Sequence, residues 1–291
     1  MLILNFESMI PITKGWSSDK KYCVTLTDGK MYLLRISPIE QLNRKRIEFE
    51  TIQRVVSLGV PMCQPIEFGV CDEGVYSLQS WINGKDAEEK LPFLSIIEQY
   101  TYGLEAGLIL KQFHSLPVLS KQEDWENRFN RKIDQKIQMY NDCPIKYENG
   151  QAFLDYLNAN RQLLKNRPQC FQHGDYHIGN MMIDNDGKLQ IIDFDRYDYG
   201  DPWEEFNRIV LSAQKAPMFA SGMVNGYFDN NVPFSFWQIL ALYISCNTIS
   251  SIPWAISFGQ IEIDTMINLA VEVLNWFDNM KNPVPTWYKS I

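Results

Sequence analysis

Residues 172–180 read Gln-His-Gly-Asp-Tyr-His-Ile-Gly-Asn, and residues 191–195 read Ile-Ile-Asp-Phe-Asp. These two stretches form the densest polar cluster in the chain, and apolar residues flank both, which places their carboxylates on rigid backbone. Asp175 lies five residues before Asn180, on what reads as a tight loop, and Asp193 ends a short strand thirteen residues later. Met181-Met-Ile183 and Leu189-Gln-Ile-Ile192 are β-like and are joined by Asn185-Asp-Gly187, so a hairpin would return Asp193 to the side of Asn180. An amide oxygen and a carboxylate converging there suit Mg2+, which takes a few hard oxygen ligands plus water and phosphate. Asp175 is then left to accept a proton from an incoming hydroxyl, the division of labour of phosphoryl transfer. Asp, Asn and Gly are also ordinary turn formers, so the compound pattern carries the reading and no single piece does.

Outward from this core the pattern divides. Tyr22–Thr27 and Met31–Ile36, joined by Asp28-Gly29, read as a hairpin. Gln41–Leu58 carries Leu42, Ile47, Phe49, Ile52, Val55 and Val56 at helical spacing. Ile66–Val70 and Val75–Ile82 read as two more strands, and Asn83-Gly84 closes the region. Beyond it Leu94–Ser115, Ile133–Tyr140 and Ala152–Lys165 are helical, and helices resume from Pro202. The expected fold class is therefore α+β, with a small sheet-plus-helix lobe at residues 1–83 and a larger, mainly helical lobe at residues 84–291.

The chain has 291 residues, 45% hydrophobic and 21% charged, an ordinary globular composition that excludes a disordered or collagen-like chain. The net charge of -8 argues against a nucleic-acid partner, which basic patches would serve. Residues 1–84 hold 9 basic and 9 acidic side chains, so all of the net negative charge lies beyond them, a field that favours a cationic ligand. Six cysteines are scattered singly, so neither a zinc site nor a redox pair is visible. No charge occurs between Asp229 and Glu262, but Asn230, Pro233, Gln238, Asn247 and Pro253 interrupt the run, which reads as a buried helical hairpin and not a membrane span. The expectation is a cytoplasmic protein with no membrane partner.

The segments HGDYHIGN and IIDFD resemble the catalytic and metal-binding segments of the aminoglycoside phosphotransferase and choline kinase superfamily, kinases of small molecules with a protein-kinase-like, two-lobed fold. Lys111–Pro117, Tyr199–Pro202 and Ser80–Gly84 extend the resemblance over about residues 10–210. It implies that Asp175 is the catalytic base, that Asn180 and Asp193 are Mg2+ ligands, and that Ser80 and Ile82 offer backbone groups to the base of ATP or GTP. His114 reads as a packed, hydrogen-bonded core residue, and Asp201 as a brace for the helix that Pro202 begins. His177 has no assigned role.

Two features depart from the family pattern. Arg35 stands where the family usually places a phosphate-binding lysine, with Glu48 as its expected carboxylate partner and Glu50 as the alternative. Arginine binds phosphate or carboxylate in a fork; the alternative is an edge-strand surface charge. The loop 13–20 has one glycine, and Ser17 or Ser18 would reach phosphate. Asp195, Glu204 and Glu205 follow the metal segment and are expected to face the acceptor, a small and cationic hydroxyl compound of aminoglycoside type. Choline, a macrolide or another metabolite alcohol remain alternative acceptors, and a nucleotide-binding module without turnover is the alternative from another class.

Overall fold

Asp28 and Gly29 make their turn where the sequence places it, with Gly29 at φ 80°. The computed structural model describes residues 6–14 and 19–289; Ser17 and Ser18 lie outside the described residues. In chain order the larger elements begin with β1 (Phe6–Ile12), β2 (Lys20–Leu26), β3 (Met31–Ser37), α1 (Leu42–Val56), β4 (Pro65–Cys71), β5 (Gly74–Ser80) and β6 (Gly84–Asp86). Then follow α2 (Ala87–Lys90), α3 (Ile96–Phe113), α4 (Trp125–Asp142), α5 (Gln151–Asn160), β7 (Cys170–Gln172), β8 (Met181–Asp184), β9 (Leu189–Ile191) and β10 (Asp198–Gly200). The chain ends with α6 (Ile209–Lys215), α7 (Pro217–Tyr227), α8 (Phe234–Ala255) and α9 (Gln260–Trp276).

Two units emerge from the contacts. The first comprises residues 1–86 and 181–195; the second comprises residues 87–180 and 196–291. Residues 181–195, grouped with the second lobe on sequence, join the first unit because β6 pairs with β8 and β8 with β9. The first unit carries an antiparallel sheet of order β1-β2-β3-β5-β4. Strand alternation puts Val24, Leu34, Ile36, Tyr76 and Leu78 into one apolar cluster and turns Arg35 to the other face. On α1 the buried stripe is Glu48, Thr51, Ile52 and Val55, spaced i, i+3, i+4, i+7. Ile47, expected on the apolar face, is 53% exposed; the stripe is set by Glu48 and Thr51 instead.

In the second unit α3 starts at a capping box, with Ser95 accepting from Glu98 N–H and the Glu98 side chain accepting from Ser95 N–H. The charge-free run forms one long helix, α8, followed by the start of α9. The span Phe234–Phe258 is long and apolar enough to cross a membrane by length and composition, and most of it is buried inside the protein, where α8 packs against α4, α5 and α9.

Helices α3 and α7 approach backbone to backbone. A methyl on Gly103 would run into the Phe219 carbonyl oxygen and Gly222 Cα, and one on Gly222 into the Tyr100 carbonyl oxygen. Gly107 and Gly226 form a second such contact one turn on. Alanine favours helix over glycine by about 1 kcal/mol, yet here the inserted methyl has only backbone to displace. Gly103→Ala and Gly222→Ala should each therefore lower stability, by about 1–3 kcal/mol or more as for other overpacked cores. Urea unfolding measures this, and a stabilised Gly103→Ala protein would show that the two helices can part without cost.

Candidate active site

In the second unit the loop after β7 is built around buried His173 and Gly174. Gly174 has φ 84°, and a Cβ there would collide with the Arg196 carbonyl oxygen. Only glycine fits that conformation in that space. Its N–H donates to Glu205 Oε1 at 2.9 Å, and Asp175 N–H donates to His173 Nδ1 at 3.2 Å. Tyr176, fully buried, donates its hydroxyl to the Ala106 carbonyl on α3 at 2.7 Å. Ile178 N–H donates to Ser212 Oγ on α6 at 3.0 Å. Asp175 is thus presented by a loop pinned on both sides.

Two arginines and a histidine surround the Asp175 carboxylate. Arg208 Nε is 2.8 Å from Oδ1, His177 Nε2 is 3.5 Å from Oδ1, and Arg196 Nε is 3.8 Å from Oδ2. Burial opposes ionisation, but the His177 hydrogen bond and the charges of Arg208 and Arg196 outweigh it and hold the carboxyl well below the usual carboxylate range. Oδ1 is buried against Arg208 and His177, while the Asp175 side chain as a whole keeps 15% of its surface accessible. His177 gains a role here: its Nδ1 accepts from Gly179 N–H at 3.1 Å, so in the neutral ring the proton sits on Nε2, toward Asp175. Asn180 Nδ2 donates to the Asp175 carbonyl at 2.9 Å, which orients the amide and leaves its oxygen as the available ligand.

The first unit holds the other half of the expected residues. Arg35 is 8% exposed in the interior strand β3, so the reading of an edge-strand surface charge is wrong. Its guanidinium is bound to Asp195, and lies 3.1 Å from Asp19 and 3.6 Å from Asp193. Glu48, expected as its partner, instead meets Lys45 Nζ at 3.1 Å. Lys45 Nζ also reaches Asp19 at 2.9 Å and Asp195 at 3.5 Å, and Ser37 Oγ donates to Asp19 at 2.7 Å. Lys45 is one bridge between Glu48 and the cluster, because it stands three residues earlier on the same helix face. The Glu48 carboxyl is pushed up by burial and by a hydrogen bond shared with Asp195. For Asp195 burial acts the same way, but Arg35, Glu48 and Lys45 hold that carboxyl down. Asp193 stands at φ 65°, a left-handed conformation uncommon outside glycine and tolerated by aspartate.

At the hinge the two expected residues differ. Ser80 N–H donates to the Gln64 carbonyl and Ser80 Oγ accepts from Gln64 N–H, both at 2.8 Å, so its N–H is already engaged. Ile82 belongs to no strand, and among the described residues its backbone makes no hydrogen bond. Ile82 alone keeps an unpaired donor and acceptor of the kind a nucleobase edge needs.

The three carboxylates expected to face a cationic acceptor are committed elsewhere. Asp195 is tied to Arg35 and Lys45. Glu204 meets Lys132 Nζ at 3.0 Å and Gln172 Nε2 at 3.2 Å. Glu205 is 2% exposed and accepts from Gly174 N–H. His114 is a packed core residue as expected, its Nδ1 2.9 Å from the Tyr227 hydroxyl. Asp19, Lys45 and Arg208 were not foreseen. Lys45 and Glu48 at i, i+3 were the one readable signal among them; the partners of Asp19 and Arg208 are distant in sequence.

These loops and strands are those of a kinase that phosphorylates small molecules. The model of the phosphotransferase enzyme family (APH) matches residues 8–237, and the chain belongs to that family. Its fold is similar to a thermostable mutant of aminoglycoside phosphotransferase APH(4)-Ia in the apo form, with TM-score 0.67 and 13% identity over 93% of this chain and 95% of that one. It is similar too to the GDP complex of wild-type aminoglycoside 2'-phosphotransferase-IIIa, with TM-score 0.67 and 15% identity over 93% of each chain. A third likeness is to amicoumacin kinase hAmiN in complex with AMP-PNP, Ca2+ and Ami, with TM-score 0.67 and 13% identity over 99% of this chain and 93% of that one. A comparison with curated proteins finds no match. The chain is a phosphotransferase of protein-kinase-like fold whose acceptor is an alcohol group.

The ion cluster of the first unit yields a direct test. Lys45→Met leaves Asp19, Glu48 and Asp195 short of a buried counter-charge and should destabilise by about 3–5 kcal/mol, as when one partner of a buried pair is removed. Adding Glu48→Gln should restore part of the loss. Chemical denaturation of the single and double variants reads both, and an unchanged midpoint in Lys45→Met would mean that water, not Lys45, balances the carboxylates.

Proposed function

We propose that this phosphotransferase moves the γ-phosphate of ATP, or of GTP, to a hydroxyl of a small molecule, with Asp175 as the residue that receives the hydroxyl. The observation that carries this reading is the Asp175 carboxylate: largely buried, kept ionised by its neighbours, and still 15% accessible to an incoming hydroxyl. A base held that far toward its ionised form is a weak proton acceptor in the ground state. Its first task is to orient the nucleophile, and it takes the proton as the new P–O bond forms. His177 and Arg208 keep the charge in place while the acceptor enters.

On the nucleotide side, Ile82 offers its N–H and C=O to the base, and Arg35 offers its fork to phosphate, exchanging carboxylate oxygens for phosphate oxygens. Lys45 and Glu48 hold that guanidinium's surroundings in place. The donors Asn180 and Asp193 fit Mg2+: one is an amide oxygen left available, the other a half-exposed carboxylate, and both are hard. When bound, the ion would neutralise charge on the transferring phosphates. The cationic acceptor expected from overall charge finds little support in Asp195, Glu204 and Glu205, which are all engaged.

Asp175→Asn keeps the shape and removes the charge. Phosphate transfer should fall by about 10²–10⁴, the range for a positioned general base, while nucleotide affinity stays near that of the wild type. ATP consumption across a panel of alcohols, paired with AMP-PNP calorimetry, is the measurement; near-normal turnover would remove Asp175 from the mechanism.

Asn180→Ala and Asp193→Ala should each raise the Mg2+ concentration needed for half-maximal rate, Asp193→Ala more so because it removes a charge. Rates titrated with Mg2+ read this directly. An identical metal dependence in both variants would place the ion on other ligands.

A further inference from the structure

Arg196 and Arg208 belong to the same unit as Asp175 and flank its carboxylate, Arg208 Nε at 2.8 Å from Oδ1 and Arg196 Nε at 3.8 Å from Oδ2. A guanidinium carries five N–H donors. Arg208 spends one of them on Asp175, while 3.8 Å is too long for Arg196 to form a hydrogen bond. Among the described residues no other group accepts from either side chain, and neither holds a buried nitrogen without a partner, so the remaining N–H groups face solvent. Both residues are nonetheless held in place. Arg208 is only 25% accessible and closes the turn in which Glu205 accepts Gly174 N–H at 2.9 Å. The Arg196 backbone packs on the loop that bears Asp175, where a Cβ on Gly174 would lie 1.8 Å from the Arg196 carbonyl oxygen.

Two positive charges therefore meet one carboxylate. The other carboxylates on these segments are engaged: Asp198 with Arg128, Glu204 with Lys132, and Glu205 with Gly174 N–H. Two open guanidinium forks beside a single counter-charge match the planar oxygens of a carboxylate or a phosphate. We infer that Arg196 and Arg208 together bind an anionic group of the acceptor, a carboxylate or phosphate, next to the hydroxyl that Asp175 receives. The inference rests on the kinase reading and deepens it by naming the acceptor's chemical class. Both arginines touch the same carboxylate as the incoming hydroxyl, so the anionic group lies within a few bonds of that hydroxyl on the acceptor. A polycationic acceptor would meet like charge at this point. The excess of acid over the second part of the sequence acts at a distance and is screened within about 8 Å at physiological ionic strength, whereas the arginine pair acts at contact.

The test uses the full chain saturated with Mg2+ and AMP-PNP, so that nucleotide phosphate sites are filled. Glycerate, glycerol phosphate, glycerol and aminopropanediol share a diol end and differ in the remaining group: carboxylate, phosphate, hydroxyl or ammonium. Each is titrated by calorimetry at constant ionic strength. At least one of the two anions should bind roughly tenfold or more tighter than glycerol, the worth of one charged hydrogen bond, and aminopropanediol should bind no better than glycerol. The ranking of the two anions separates a carboxylate subsite from a phosphate subsite. Arg196→Gln and Arg208→Gln should each reduce the preference for the anion over glycerol roughly tenfold, and Arg196→Lys should keep part of it. Arg196→Gln should melt at the wild-type temperature, because its side chain is half exposed; this separates loss of the subsite from loss of the fold. Glycerol or aminopropanediol binding as tightly as the anions, or an unchanged preference in either glutamine variant, overturns the subsite. Anion binding that disappears when AMP-PNP is added assigns the arginines to the nucleotide and overturns it as well. Failure of AMP-PNP to bind overturns the kinase reading instead, and the same titrations without nucleotide still decide the subsite.

Discussion

Asp201 has no exposed surface, and a buried carboxylate persists only where donors surround it. Arg167 binds it as a fork at 2.6 and 2.9 Å, the Tyr243 hydroxyl donates at 2.5 Å, and Trp203 N–H donates at 3.0 Å. Its own carbonyl accepts from Gln172 Nε2 at 2.8 Å. One residue therefore ties α8, the segment before β7 and the turn into residues 204–208 to the strand that leads into His173 and Asp175. Glu205, which receives the Gly174 N–H, and Arg208, which meets Asp175, both follow within seven residues of it. The position of the loop that bears Asp175 in its unit depends on the satisfaction of that carboxylate. Two further contacts surround the same hub: Trp125 Nε1 donates to the Tyr243 hydroxyl at 3.0 Å, and the Arg167 guanidinium lies 3.9 Å from the Trp203 ring centroid.

Much of this was legible in the sequence because it depends on local chemistry. The Asp28-Gly29 hairpin and the Asn185–Gly187 turn are each set by a few adjacent residues. What was not legible depends on residues far apart. Arg35 was placed on the third strand, but its partners Asp19 and Asp195 lie on either side of it in sequence and reach it only after folding. Ser80 looked as suitable as Ile82 until Gln64 took its N–H. The acidic residues after the metal segment looked available for an acceptor because a sequence shows charge without showing who neutralises it.

Around Arg35 and Lys45, four carboxylates crowd two cations, and Glu48 moves toward its protonated form to ease the imbalance. Carboxylates so crowded and so buried stay ionised only where cations lie between them. Net charge summed over a lobe does not describe such a cluster.

The meeting of α3 and α7 through glycine has a consequence for motion. Backbones in such contact cannot slide past one another without lifting apart. Tyr176 anchors the loop bearing Asp175 to the α3 carbonyl of Ala106. That loop, although it lies outside any long element, therefore moves only together with α3 or by giving up a buried hydrogen bond.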